Sequence, residues 1–205
     1  MKQVLTGDIH DSTRLSKLQR GELQEAFRHL ENQSEGTYDY FIRGDSFQIY
    51  LNNEGLKESQ LIKTYLHYKC GIRTRISLGL GEITYFSEEK LSDSDGPAFQ
   101  YSGRGLDTMK KDKIWNRVTS GDEDFNDEWI VHSAVLDQLE NSRTQHQSEV
   151  IYWLLHQKNQ QQIADIIGIS QPSVNKRIQG SGWTLLEKIL KRYQRFENQN
   201  IQTNG

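Results

Sequence analysis

The 205-residue chain has one cysteine, Cys70, and two prolines. A single cysteine excludes an internal disulfide and any all-cysteine metal site. Cys70 is expected to pack as a small apolar residue near a helix end. No run reaches the roughly 18 apolar residues of a membrane span, so no transmembrane helix is expected. No basic segment followed by an apolar core opens the sequence, so no secretory leader is expected either. These absences point to a reducing, cytoplasmic setting. Apolar residues make up 34% of the chain and charged residues 26%. That balance is polar, yet apolar periodicity recurs along most of the chain and argues against global disorder. Positive charge is scarce in the first part. Residues 1–140 hold 17 Lys/Arg against 24 Asp/Glu, a balance of −7, whereas residues 141–205 hold 8 against 4, a balance of +4. The first part suits metal, the second suits phosphate.

Residues 2–9 are expected to form a strand ending in Asp8. Residues 11–32 suit a helix entered through Asp11, Ser12 and Thr13. Residues 38–51 alternate as a β-hairpin whose tight turn holds Gly44 and Asp45. A helix is predicted over 56–70 and a strand over 73–85, with Ile76, Leu78 and Leu80 on one side. Gly79 and Gly81 in that strand mark the close approach of a backbone or ligand, or a bulge. A helix follows over 98–109, with Pro97 in its first turn. Gly103 and Gly105 are costly in it unless they allow close packing. A short strand over 117–120 and a helix over 127–139 complete this part. Polar residues 141–147 set the expected boundary. Beyond it, helices are predicted over 148–156, 160–167, 171–179 and 183–196, with residues 198–205 disordered.

The outer strands of the first part, if neighbours, bring Asp8 and Asp45 to one end of a sheet. Two aspartates so placed can hold divalent metal over a nucleoside triphosphate, or can simply be turn residues. In the basic part, Q-I-A-D-I-I-G-I-S-Q-P-S-V-N-K-R-I has helix-turn-helix spacing. Ala164 lets two helices approach, Gly168 permits the turn, and Ile169 plugs a small core. Ser170 caps the second helix, which Val174 and Ile178 anchor. Gln171, Ser173, Asn175, Lys176 and Arg177 then face outward and could reach base edges and phosphates in a major groove. A plain helical bundle used for dimerisation is the alternative.

Four segments, in order, resemble class III nucleotidyl cyclases over about 100 residues: G-D-I-H-D-S-T-R-L from Gly7, R-G-D-S-F from Arg43, R-I-S-L-G-L-G-E-I from Arg75, and D-S-D-G-P-A-F-Q-Y-S-G-R-G-L from Asp93. The resemblance implies an α+β fold, a palm-type, ferredoxin-like sheet with helices over residues 1–141. A small all-α helix-turn-helix domain over 142–197 and a tail over 198–205 follow. It also implies metal ligation by Asp8, Asp45 and the Ile9 carbonyl, with Mg²⁺ or Mn²⁺ as cofactor. Asp93 falls at the base-recognising aspartate. Gln100 and Arg104 fall at the catalytic Asn and Arg positions, and the site would form in a homodimer. Arg14 and Arg43 lie near enough to touch phosphate, or are simply surface residues. The chain departs from the pattern at Phe41, where those enzymes carry a base-reading lysine, at Gln100 for Asn, and at Pro97. The whole chain further resembles the SatD-like family of small bacterial proteins, which implies DNA binding. Three functions follow as expectations: a nucleotide- and metal-binding DNA-binding regulator, an active cyclase forming a 3′,5′-cyclic nucleotide and pyrophosphate, or an inert dimerisation domain joined to a DNA-binding one.

Overall fold

The computed structural model describes residues 1–41, 44–87 and 89–202, with the backbone alone over 200–202. The protein is a mixed α+β structure. Strands β1 (Lys2–Ile9), β2 (Thr37–Tyr40), β3 (Ser46–Leu51), β4 (Thr74–Gly81) and β5 (Asn116–Thr119) form one sheet in the order β2-β3-β1-β4-β5. All pairings are antiparallel except β4 with β5. Helices α1 (Lys17–Gln33), α2 (Gly55–Cys70), α3 (Pro97–Asp112) and α4 (Glu123–Ser142) intervene or follow. Then come α5 (Gln145–Leu155), α6 (Gln160–Ile167), α7 (Gln171–Gln179) and α8 (Trp183–Gln202).

β1 is central and buried from Gln3 to Ile9, so its alternation sorts the layers. Leu5 and Ile9 join Leu23 and Phe27 of α1, Leu66 of α2 and Val118 of β5 in the main core. Val4 faces the other way, into a smaller cluster with Ala98 and Phe99 of α3. On that face the Thr6 and Ser102 hydroxyls bond at 2.8 Å. α3 lies almost on the backbone of β4. A Cβ at Gly79 would collide with the Ala98 carbonyl and the Ser102 nitrogen, and one at Gly105 with the Ser77 hydroxyl. The close-approach reading of Gly79 and Gly105 therefore holds, whereas Gly103 has open space around it.

Several element boundaries differ from expectation. A single 3₁₀ turn spans Ser12–Arg14, and α1 starts later, at Lys17, because Ser16 and Gln19 form a reciprocal capping box. Asp11 caps nothing through its side chain. Instead it pairs with Arg14 at 3.1 Å. α4 starts four residues earlier than predicted, where the Asp122 carboxylate accepts from the Phe125 amide. α8 continues to Gln202, across residues expected to be disordered. Ile42 and Arg43 lie outside the described residues.

The boundary near residue 141 does not divide two cores. Ile151, Tyr152 and Leu155 of α5 and Leu186, Ile189 and Tyr193 of α8 belong to the same apolar cluster as the sheet. α2 is sandwiched between sheet and α5, and therefore buries eleven of its sixteen residues, polar ones included. Among these, Lys63 donates to the Thr74 and Trp115 carbonyls at 3.0 and 2.8 Å and pairs with Glu140 of α4 at 2.8 Å. Gln60 donates to Glu140 as well, at 3.1 Å. Burial alone would push the Glu140 carboxyl up, but Lys63 outweighs it and holds it below its ordinary value. The same burial draws the Lys63 ammonium down. Arg143, also buried, donates to the Ser181 carbonyl at 3.2 Å and so ties the start of α8 to the end of α4.

Every polar group of Lys63 is satisfied, so removing one partner strands a buried charge. Lys63→Met or Glu140→Gln is expected to lower unfolding free energy by roughly 3–5 kcal/mol, and the paired replacement Lys63→Met with Glu140→Leu by much less. Urea unfolding of the three variants checks this; equal losses in single and double variants would count against a coupled pair.

Candidate functional site

The register of β1 puts Asp8 across from Ser46 of β3 on one side and Arg75 of β4 on the other. Asp8 lies on the α3 face of the sheet and is 5% exposed. Its carboxylate meets two cations: Arg75 Nη1 at 3.6 Å from Oδ1 and Lys110 Nζ at 3.3 Å from Oδ2. Lys110 projects from the last turn of α3. Asp8 Oδ1 is buried and accepts no hydrogen bond. Arg75 is held in turn by Trp115, whose ring lies 5.0 Å from its guanidinium carbon. Arg73 stacks closer, at 4.1 Å, and His10 meets the same ring edge-on at 4.9 Å. The end of the sheet is thus a compact set of one carboxylate, three cations and an indole.

Asp45 comes to the same end. Its carbonyl accepts from the Ile9 amide at 3.1 Å, which continues the β1–β3 ladder by one step, and its Oδ2 accepts from the Ser12 hydroxyl at 2.7 Å. Ser12 therefore serves Asp45 rather than a helix entry. A cavity of about 120 Å³ lies beside it, lined by Ile9, Ser12, Leu15, Phe41 and Gly44 among others. Phe41 has φ 65° and packs edge-on against Phe27 and Tyr40. Its ring is a core contact on the rim of that cavity.

Gln100 and Arg104 do not join Asp8 within the chain. Both are exposed on α3, and Gln100 stands ten residues before Lys110, about 15 Å along the axis. Gln100 donates to Asp95 at 3.2 Å. Arg104 has no side-chain partner among the described residues. Asp93 ends the short 3₁₀ turn Leu91–Asp93 and is exposed. A site using these three with Asp8 needs a second copy.

The donor set at Asp8 fits a divalent cation in one respect: a buried carboxylate oxygen without a hydrogen-bond partner is what such an ion completes. Asp45 and the Ile9 backbone are adjacent. Lys110 occupies the other Asp8 oxygen, but it is 44% exposed and flexible enough to leave. Among the described residues no three His, Cys, Asp or Glu side chains gather as a metal cluster. Lys110 carried no sequence signal for this place, and Arg75, which opens the R-I-S-L-G-L-G-E-I segment, was given no role in it. Their role depends on strand register and on where α3 ends over the sheet.

In the α5–α7 region, Val150, Ile163, Ala164 and Val174 form a separate small core, with Ile167, Ile169 and Ile178 packed on it. Gly168 takes φ 69° and stops α6, whose last turn it caps. Ser170 occupies the N-cap of α7, but its hydroxyl makes no cap bond. It bonds Ser173 Oγ at 2.9 Å instead. Gln171, Ser173 and Lys176 are exposed and Asn175 half-buried. Arg177 turns back to α5 and pairs with Glu149 at 3.2 Å. No helix among the described residues is long and apolar enough to cross a membrane. No family model and no curated protein matches this chain.

Because the neighbours of Asp8 are cations, neutralising it removes attraction rather than repulsion. Asp8→Asn is expected to cost roughly 2 kcal/mol of stability, discounted for the exposure of Lys110. A rise in melting temperature would show that the carboxylate is held against like charge, contrary to this geometry.

Proposed function

We propose that this chain is a DNA-binding regulator whose sheet domain takes up a nucleotide with a divalent cation. The observation that carries the reading is the α6–α7 pair. Its small core fixes α7 across α6 and leaves Gln171, Ser173 and Lys176 outward, as a helix-turn-helix module requires. Lys176 and the exposed amides would meet phosphate and base edges, whereas Arg177, paired with Glu149, would brace α7. The order β2-β3-β1-β4 of the first four strands, with α1 and α2 packed on one face, supports the palm-type reading of the sheet domain.

In that reading Asp8 and Asp45, with the Ile9 carbonyl, would hold Mg²⁺ or Mn²⁺, which neutralises phosphate charge when bound. Lys110 then competes for the same carboxylate. A doubly charged ion at a typical ligand distance of about 2.1 Å attracts that oxygen roughly threefold more strongly than an ammonium at 3.3 Å. Lys110, 44% exposed, would leave the Asp8 carboxylate for these residues to hold the ion. Arg75, braced by Trp115, stays to meet phosphate. An active cyclase is the second reading. Exposed Arg104 and Gln100, remote from Asp8 in their own chain, favour it, because a head-to-tail homodimer could bring them to the partner's carboxylates.

Two measurements test the proposal. Lys176→Ala is expected to weaken binding to duplex DNA and lower the slope of log affinity against log salt by about 0.9. An unchanged slope would show that α7 does not face DNA. Mn²⁺ binding, followed by electron paramagnetic resonance, is expected to tighten several-fold in Lys110→Met and to vanish in Asp8→Asn. Incubation with the four nucleoside triphosphates separates the readings. A cyclic product lost in Asp45→Ala supports the enzyme, and binding without turnover supports the regulator.

A further inference from the structure

We infer that a monovalent anion of chloride's size binds in the cavity between α2, the start of β4 and the end of α4, with the Arg143 guanidinium and the Thr74 hydroxyl as its donors. The cavity measures about 20 Å³, room for a single small ion or one water. Thr74 precedes Arg75 on β4 and so lies on the opposite face of the sheet from Asp8. The site is therefore separate from the carboxylate cluster and owes nothing to α7.

Two buried donors in its wall are unused. Arg143 is 7% exposed and Thr74 3%. Neither Arg143 Nη2 nor Thr74 Oγ1 has a hydrogen-bond partner among the described residues. Unpaired polar atoms this deep are costly, the more so on a charged group. The Arg143 Nε meets the Ser181 carbonyl, a neutral group. Charge points the same way. Lys63, Arg73 and Arg143 line the cavity against one carboxylate, Glu140. Both Glu140 oxygens already accept, from Gln60 and Lys63. Asp137, the other carboxylate near Lys63, spends its oxygens on the Trp115 amide and the Asn116 side chain. Burial holds the His67 imidazole below its ordinary value, and Arg73 and Arg143 lower it further, which marks an excess of positive potential at this wall. A water would bring two hydrogens to a wall whose free guanidinium can only donate. An anion brings none, accepts from both donors, and offsets the unmatched charge.

Thermal unfolding of the full chain, with sodium gluconate exchanged stepwise for sodium chloride at constant ionic strength, tests this. The melting temperature is expected to climb with the logarithm of chloride concentration once the site fills, as binding to the folded state alone requires. Thr74→Val keeps the shape and the strand preference and removes one donor. The chloride concentration that gives the same rise is then expected to increase roughly tenfold. Wild-type crystals grown from sodium bromide are expected to show anomalous scattering within hydrogen-bond reach of Arg143 Nη2 and Thr74 Oγ1. A melting temperature indifferent to chloride, with water alone in the cavity, overturns the inference. So does an equal chloride response in the wild type and Thr74→Val, which would place the anion elsewhere. Should Thr74→Val fail to fold, the bromide position in the wild-type crystal decides: in this cavity it upholds the site, and outside it refutes the site.

Discussion

The Lys63–Glu140 ion pair is the fixed point of the structure. A lysine in the middle of a helix buried on nearly all sides has to find acceptors, and it finds them at the start of β4, just before β5 and on α4. One ammonium thus joins three elements that apolar contact alone would leave free to slide. An apolar pair of the same volume would cost far less than either single replacement, although it would leave the Thr74 and Trp115 carbonyls without this donor. What the charges supply is registration. Trp115, whose carbonyl the ammonium holds, is the residue whose ring braces Arg73 and Arg75. Asp137, whose carboxyl burial pushes up, accepts from the Trp115 amide at 2.9 Å and pins it from the other side. The charge network in the core therefore sets the position of the indole behind the Asp8 cluster.

The acidic excess of the first 140 residues does not concentrate at the sheet end. There, Arg73, Arg75 and Lys110 stand around Asp8, with Asp45 beside Ile9 and Ser12. Net charge per segment predicted a metal-holding surface. The geometry shows a carboxylate already balanced by its own chain, with one oxygen left open.

Much of the fold was legible in local signals. α6 and α7 appear over the predicted residues because their boundaries rest on Asn159, Gly168 and Pro172, which act on their nearest neighbours. The hairpin and β4 followed from alternation. α1 was misplaced because two capping patterns compete within six residues, and D-S-T lost to the S-x-x-Q box that satisfies two backbone groups at once. The shared core of sheet, α5 and α8 was not legible at all. Polar residues around 141 look like a linker, yet Arg143 is buried and Glu140 nearly so, each bonded to a partner far away in sequence. Of the candidate site, the placement of Asp8 and Asp45 at one sheet end was legible because strand ends and tight turns are local. Arg75, Lys110 and Trp115 were missed because only strand register and the length of α3 bring them together.

The contacts of Gln3 carry a consequence for biosynthesis. Its side chain, in the central strand, donates to Glu197 at 2.6 Å and accepts from the Tyr193 hydroxyl at 2.9 Å and the Gly55 amide at 2.7 Å. Tyr193 is 190 positions downstream. At the usual rates of translation β1 waits roughly 10–40 s for α8 to emerge. During that interval the nascent sheet domain carries an amide without its final partners and an apolar surface on α2 that α5 has yet to cover. Order in the sheet domain is therefore coupled to the arrival of α5 and α8, whose apolar residues complete the same core.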